Sequence, residues 1–172
     1  YPQLRLSVDW SINRPITTTL FDYYWHHAQS RWDNHMVDKI YKIEVIVGAD
    51  PRYQLSLTVF TPNPYHGIFV KDMFIQSNFD LNPNSTPESI VVYDSSDISL
   101  TDVPPSSDPD PTLKTNLIAL DIIRRRLLIY GTQYAGEIKK GIFTLMMYIA
   151  PNLGQLSLHS SCNVAINDDS DV

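Results

Sequence analysis

Cysteine is nearly absent from this sequence. Cys162 is the only one in 172 residues, which rules out an internal disulfide and any cysteine-rich zinc site. A reducing, cytoplasmic setting is the expectation. Long apolar runs are absent as well: none approaches the roughly 20 residues of a membrane-spanning helix, and the opening Tyr1-Pro2-Gln3 has no signal-peptide character. No membrane association is expected. Positive charge is scarce, with 13 Lys and Arg against 19 Asp and Glu and a net charge of -6. Binding to nucleic acid or an anionic membrane calls for clustered basic residues, so neither partner is expected. The one dense basic run, Arg124-Arg125-Arg126, lies between two apolar stretches and reads as a solvated turn. There is no initiator methionine, and the acidic end, Asp168-Asp169-Ser170-Asp171-Val172, has no closing apolar element. Both ends read as cuts within a longer chain.

What is present is enough for one core. At 172 residues and 43% hydrophobic content, a single domain over 1–172 is expected. Residues 15–32 carry Ile16, Leu20, Tyr23, Tyr24 and His27 at spacings of three and four, and Pro15 precedes a Thr-rich first turn, so an amphipathic helix is predicted. Residues 41–47 and 53–60 read as strands around the breaker Gly48-Ala49-Asp50-Pro51. A short helix over 65–75 follows, with Tyr65, Phe69, Met73 and Ile68 on one side. A strand over 89–93 interrupts a Ser-, Pro- and Asp-rich stretch, and a flexible loop is expected over about 94–112. Strands over 117–120 and 126–130, a helix over 137–149 that ends at Pro151, and a last strand over 155–159 complete the reading. Strands with helices interspersed irregularly imply a mixed α/β (α+β) domain with a mixed sheet and flanking helices.

The stretch that carries chemistry is Gly131-Thr132-Gln133-Tyr134-Ala135-Gly136-Glu137-Ile138-Lys139-Lys140, a small-residue loop that leaves a strand and opens a helix. Backbone amides at such a start can hold an anion. The adjacent lysines point about 100° apart on a helix, so they could serve two neighbouring ligands, but spacing alone favours a solvated surface pair. His159 follows an apolar run and precedes the polar Ser160-Ser161-Cys162-Asn163. A histidine so placed is, on its own, more often a hydrogen-bonded structural residue than a metal ligand.

Taken whole, YGTQYAGEIKKGIFTLMMYIAPNLGQLSLHSSCNV, which starts at Tyr130, resembles the ATP-dependent phosphoenolpyruvate carboxykinases, whose pattern runs GGT-x-Y-[AG]-GE-[IM]-KK, an apolar helix, then MHCSANV. Asn13-Arg14-Pro15-Ile16, Gly48-Ala49-Asp50-Pro51 and Phe69-Val70-Lys71-Asp72-Met73-Phe74-Ile75 resemble further segments of that family in the same order. The resemblance implies the family's N-terminal domain and its gluconeogenic carboxy-lyase reaction: oxaloacetate and ATP give phosphoenolpyruvate, carbon dioxide and ADP, with Mn2+ and Mg2+ assisting. By position it implies that Lys140 and His159 are manganese ligands, the lysine as the neutral amine. Tyr134 and Lys139 would contact substrate and phosphoryl group, and His159 would also lie toward the phosphate side of the nucleotide.

Departures from the pattern temper what is implied. The family's TGRSPKDK arginine has no counterpart, and no G-x-x-x-x-G-K-[ST] phosphate loop occurs; the family places that loop, the aspartate completing the metal site and a later arginine beyond Val172. A nucleotide-binding domain is therefore the expected missing partner, and the chain alone is expected to be inactive. In place of YRLxVR and TEYAWH stand Tyr53-Gln54-Leu55-Ser56-Leu57-Thr58 and Thr61-Pro62-Asn63-Pro64-Tyr65-His66, without two arginines and a glutamate. Tyr130 stands for the pattern's first glycine and Cys162 for an alanine. These changes leave a second expectation open, a non-catalytic binding or structural protein on the same scaffold.

Overall fold

The structure is a computed structural model that describes residues 3–6, 14–34, 36–76, 89–107, 110–111 and 113–160. In chain order the elements are β1 (Gln3–Leu6), β2 (Arg14–Pro15), α1 (Thr18–Asp33), β3 (Tyr41–Val47), β4 (Leu55–Thr61), α2 (Pro64–Met73), β5 (Ile75–Gln76), β6 (Ile90–Ser95), β7 (Leu117–Asp121), β8 (Arg126–Tyr130) and α3 (Gly136–Asn152). The strands among the described residues join in one mixed sheet, ordered β2-β1-β7-β8-β6-β4-β3-β5. At its centre β4, β6 and β8 run parallel, and the flanking pairs are antiparallel. The mixed α/β domain expected from the sequence is what the chain adopts.

Sheet alternation divides the apolar residues between two cores. Leu57, Val59, Val92, Leu127 and Ile129 face α2 and α3, where they meet Val70, Ile138, Ile142 and Leu145. On the opposite face Leu128 and Tyr130 meet Leu20, Phe21, Tyr24 and Trp25 of α1. Central strands covered on both sides in this way must be apolar at successive positions, as LLIY at the end of β8 is.

Because β4, β6 and β8 are parallel, their carboxyl ends, at Thr61, Ser95 and Tyr130, fall on one edge of the sheet. The loop after β4 opens α2, capped by the Asn63 side chain, which accepts from Tyr65 N at 3.0 Å. The loop after β8 opens α3. Ligands of α/β sheets bind in this position.

Several local expectations change. The first helix begins at Thr18, with Thr17 as its cap, while Pro15 belongs to the edge strand β2, where its missing N–H is tolerated. In α2 the predicted apolar side turns outward: Tyr65 and Ile68 are each 61% exposed, whereas His66, Gly67 and Val70 are buried. The helix continues through Pro151 to Asn152 at the end of α3. The predicted strand over 155–159 is not formed. Gly154, at φ +74°, and Gln155 close the helix on the carbonyls of Pro151 and Ala150, and the chain then runs on with Leu156 83% exposed, paired with no strand.

The arginine run is a turn but not a freely solvated one. Arg124 pairs with Asp22 at 2.5 Å and with Asp121, and Arg126 lies over the Trp25 ring. Within 94–112, Asp94 and Ser95 end β6, and a 3-10 turn over Leu100–Asp102 buries Leu100 and Val103. Residues 77–88 and the cluster beyond Ser160, Cys162 included, lie outside the described residues.

Candidate active site

The loop from β8 to α3 is shaped by two glycines. Gly131 has φ +71°, and a Cβ there would stand 2.1 Å from the Thr115 carbonyl oxygen, so only glycine fits. At Gly136 a Cβ would stand 2.5 Å from Tyr134 Cζ. The Tyr134 ring therefore folds directly onto the first residue of α3. Tyr134 N donates to Thr132 Oγ1 at 3.2 Å, and Glu137 N donates to the Tyr134 carbonyl at 3.1 Å, which ties the turn to the helix.

Above this turn lies a cavity of about 580 Å³. Tyr134, Lys139, Lys140 and His159 all border it, with the outward side of α2, Tyr65 and Phe69 among others, as its apolar wall. Tyr134 is 53% exposed rather than buried, and the Lys140 ammonium sits 4.8 Å from its ring centroid, a cation–π contact. His159 packs its ring 4.9 Å from Phe143, one turn beyond the lysines. All four residues singled out in the sequence thus meet in one cleft. The described lining holds two lysines and no carboxylate. In a chain of net charge -6, that is a local reversal of sign.

The helix start contributes one more feature. Glu137 is buried at 2% exposure, and among the described residues its Oε1 has no hydrogen-bond partner. Burial pushes its carboxyl up, and the Lys140 charge opposes this only in part. As for a metal, the His159 imidazole and the Lys140 amine, once it has given up its proton, are two nitrogen donors, while a hard ion such as the Mn2+ that the resemblance implies also takes oxygen ligands; no cluster of three His, Cys, Asp or Glu exists among the described residues. The donor set fits a metal as part of a larger site.

Behind the cleft is a buried polar network around His66, which the sequence marks only as the last residue of the segment set against TEYAWH. His66 Nδ1 lies 2.7 Å from Asp94 Oδ2, and His66 Nε2 lies 3.0 Å from the Gln133 carbonyl oxygen. Thr61 Oγ1 donates to Asp94 Oδ2 at 2.6 Å, and Ser96 N donates to Asp94 Oδ1 at 3.1 Å. The Gln133 side chain donates to the Ser96 carbonyl at 2.6 Å and accepts from Asn63 Nδ2 at 3.1 Å. Burial alone pushes the His66 imidazolium down; the hydrogen bond and charge of Asp94, with the Gln133 carbonyl, outweigh it, and the net shift is upward. The available clue was Asp94, a charged residue ending the apolar strand Ile90–Ser95.

Fold and site together define a class: an α/β domain with a lysine-lined cleft beyond the carboxyl ends of its parallel strands. The family model described as phosphoenolpyruvate carboxykinase matches residues 2–172, and the chain belongs to that family. It is 37% identical over 132 residues to a phosphoenolpyruvate carboxykinase (ATP) of Dictyostelium discoideum, an alignment covering 76% of this chain and 23% of the relative. A glycosomal phosphoenolpyruvate carboxykinase (ATP) of Trypanosoma cruzi is 32% identical over 171 residues, covering 96% of this chain and 34% of the relative. The corresponding enzyme of Staphylococcus aureus is 33% identical over 172 residues, 98% of this chain and 31% of its own. The chain thus spans between about a quarter and a third of the length of these relatives.

Proposed function

We propose that this chain supplies the substrate and metal half of an ATP-dependent phosphoenolpyruvate carboxykinase site, acting with a nucleotide-binding domain it does not itself contain among its 172 residues. The observation that carries this reading is the convergence of Tyr134, Lys139, Lys140 and His159 on one cavity whose described lining holds no carboxylate. Oxaloacetate and phosphoenolpyruvate are compact anions, and a cleft with the Lys139 ammonium, a half-exposed phenol and a cation held beside Lys140 suits them. Lys139, exposed at the rim, would pair with a carboxylate or with the phosphoryl group being transferred. The Tyr134 hydroxyl would donate to a substrate oxygen, its ring held in place by Gly136 below and Lys140 beside it.

Lys140 Nζ, giving up its proton as the metal binds, and the His159 imidazole would hold Mn2+, with further ligands from outside the described residues. When bound, the metal supplies Lewis-acid stabilisation of the oxygen charge that develops during decarboxylation and phosphoryl transfer. The apolar wall from α2 would limit water around that charge, which strengthens every electrostatic contact in the cleft. Activity in the gluconeogenic direction and a cytoplasmic setting belong to the same proposal.

The reading is tested with Mn2+ and phosphoenolpyruvate added separately to the chain during NMR. Paramagnetic broadening centred on Lys140 and His159, and shift changes at Tyr134 and Lys139, are expected. Lys139→Ala should weaken phosphoenolpyruvate binding roughly tenfold, as loss of a hydrogen bond to a charged group implies. Broadening centred elsewhere, with no response at Tyr134, would overturn it.

A further inference from the structure

The network behind the cleft has a proton inventory that can be worked out from its partners. The Gln133 carbonyl can only accept, so His66 Nε2 carries a hydrogen and donates. Asp94 receives the Thr61 hydroxyl on Oδ2 and the Ser96 amide on Oδ1. With the ring as a third donor, 2.7 Å from Oδ2, these contacts suit a carboxylate, and a proton between a carboxylate and an imidazole stays on the stronger base, so Nδ1 of His66 donates as well. Both ring nitrogens then carry hydrogen, and the ring is an imidazolium.

His66 is 1% exposed and Asp94 is wholly buried. From β6 the group facing the ring is the Asp94 carboxylate, from β4 the Thr61 hydroxyl beyond it, from the loop after β8 the Gln133 carbonyl, and on its own helix the Tyr65 ring. Asp94 is thus the one charged group opposing it among these contacts. The pair joins two of the parallel strands and α2 to the single residue that precedes Tyr134.

We infer that the buried His66–Asp94 ion pair is a positioning pair, in which an imidazolium anchored on β6 grips the Gln133 carbonyl and so fixes where Tyr134 stands in the cleft. Only the role of Tyr134 rests on the carboxykinase reading; the grip itself does not. In energetic terms a buried ion pair adds little net stability, because desolvation offsets attraction. What it provides here is direction. A neutral histidine could satisfy either Asp94 or the Gln133 carbonyl, whereas an imidazolium satisfies both.

Nitrogen-15 NMR of the histidine rings in the unmodified chain reads the first part. Both His66 nitrogens are expected to be protonated at pH 7, with a strongly deshielded Nδ1 proton, while a ring with one bare nitrogen would overturn the inference. Asp94→Asn then reads the second part. Amide exchange at residues 134–137 should quicken on the order of tenfold, as loss of one hydrogen bond to a charged group implies, with α1 unchanged. In that variant the loop's protection should also fall as pH rises through the ordinary histidine range, which a merely structural aspartate would not produce. Exchange that is unaffected, or raised equally everywhere, sinks the proposal. Should Asp94→Asn fail to fold, the ring spectrum of the unmodified chain still decides. Failure of phosphoenolpyruvate to bind would bear on the proposed function alone, since none of these measurements uses a ligand.

Discussion

The Tyr134 ring lies where the Cβ of any other residue at Gly136 would have to be, 2.5 Å from Cζ. Gly136→Ala therefore cannot be accommodated without swinging the ring away, and with it the contact to the Lys140 ammonium. That contact is worth about 0.5–1 kcal/mol at an exposed site, so little global stability should be lost. The expected result is disappearance of cross-peaks between the Lys140 side chain and the Tyr134 ring, with a nearly unchanged melting curve. Gly131→Ala should behave differently. A side chain there must adopt φ +71° against the Thr115 carbonyl, and left-handed backbone alone costs roughly 1–2 kcal/mol for a non-glycine residue. Urea unfolding should register at least that loss. Such small-residue positions are partly legible in sequence, since a glycine between strand and helix announces a turn. Which glycine answers to backbone and which to a ring is a matter of three-dimensional approach. The His66–Asp94 pair is less legible still: 28 residues separate its members, and they meet only because β4 and β6 pair in parallel.

Among the elements, α1 illustrates how a change of residue is absorbed by packing. Tyr130 stands where the family pattern has glycine, and its fully buried side chain reaches across to α1. Its hydroxyl donates to the Tyr24 carbonyl at 3.1 Å, which leaves the oxygen to accept from His27 Nδ1 at 2.8 Å. The shared ring surface with Tyr24 adds an edge contact at 5.9 Å. Tyr130→Phe should destabilise the chain by about 1–2 kcal/mol, because it orphans a half-buried imidazole N–H. Tyr130→Gly should cost more than ~3 kcal/mol, since it empties the space of an aromatic ring. Chemical denaturation of the two variants checks the ranking. If Tyr130→Gly is neutral, the ring is not part of the core. The strands and helices around it follow patterns visible in sequence, because burial on one or both faces writes a period into the chain. The same reasoning fails at 155–158. Its alternating leucines have the form of a strand, but forming one requires a free sheet edge alongside, and sequence carries no record of that. The apolar side of α2 misleads for a related cause: a stripe that lines a cleft looks the same as one that lines a core.

For the molecule as a whole, two histidines give stability opposite dependences on pH. The His66 value is raised in the folded state, since the Asp94 hydrogen bond and charge, with the Gln133 carbonyl, overcome the opposing effect of burial. A raised value means the folded state holds the proton more tightly. The stabilisation is complete below the unfolded histidine value of about 6.5 and is lost as pH rises through the folded one. The His27 value is lowered, first by burial and then by the nearby Arg31 charge. Here the unfolded state holds the proton more tightly, so stability is present above the unfolded value and declines as pH falls from it through the folded one. The two contributions overlap only near neutrality. Replacing either ring with glutamine removes its titration, so the difference in unfolding free energy between the unmodified chain and each variant isolates one slope. For His66→Gln that difference should shrink between about pH 5.5 and pH 8.5, and for His27→Gln it should shift the other way over the same range. Urea titrations across that range measure both. Slopes of the same sign would mean that one histidine has been assigned the wrong charge state, and a flat line for His66→Gln would remove the imidazolium from the grip on Gln133.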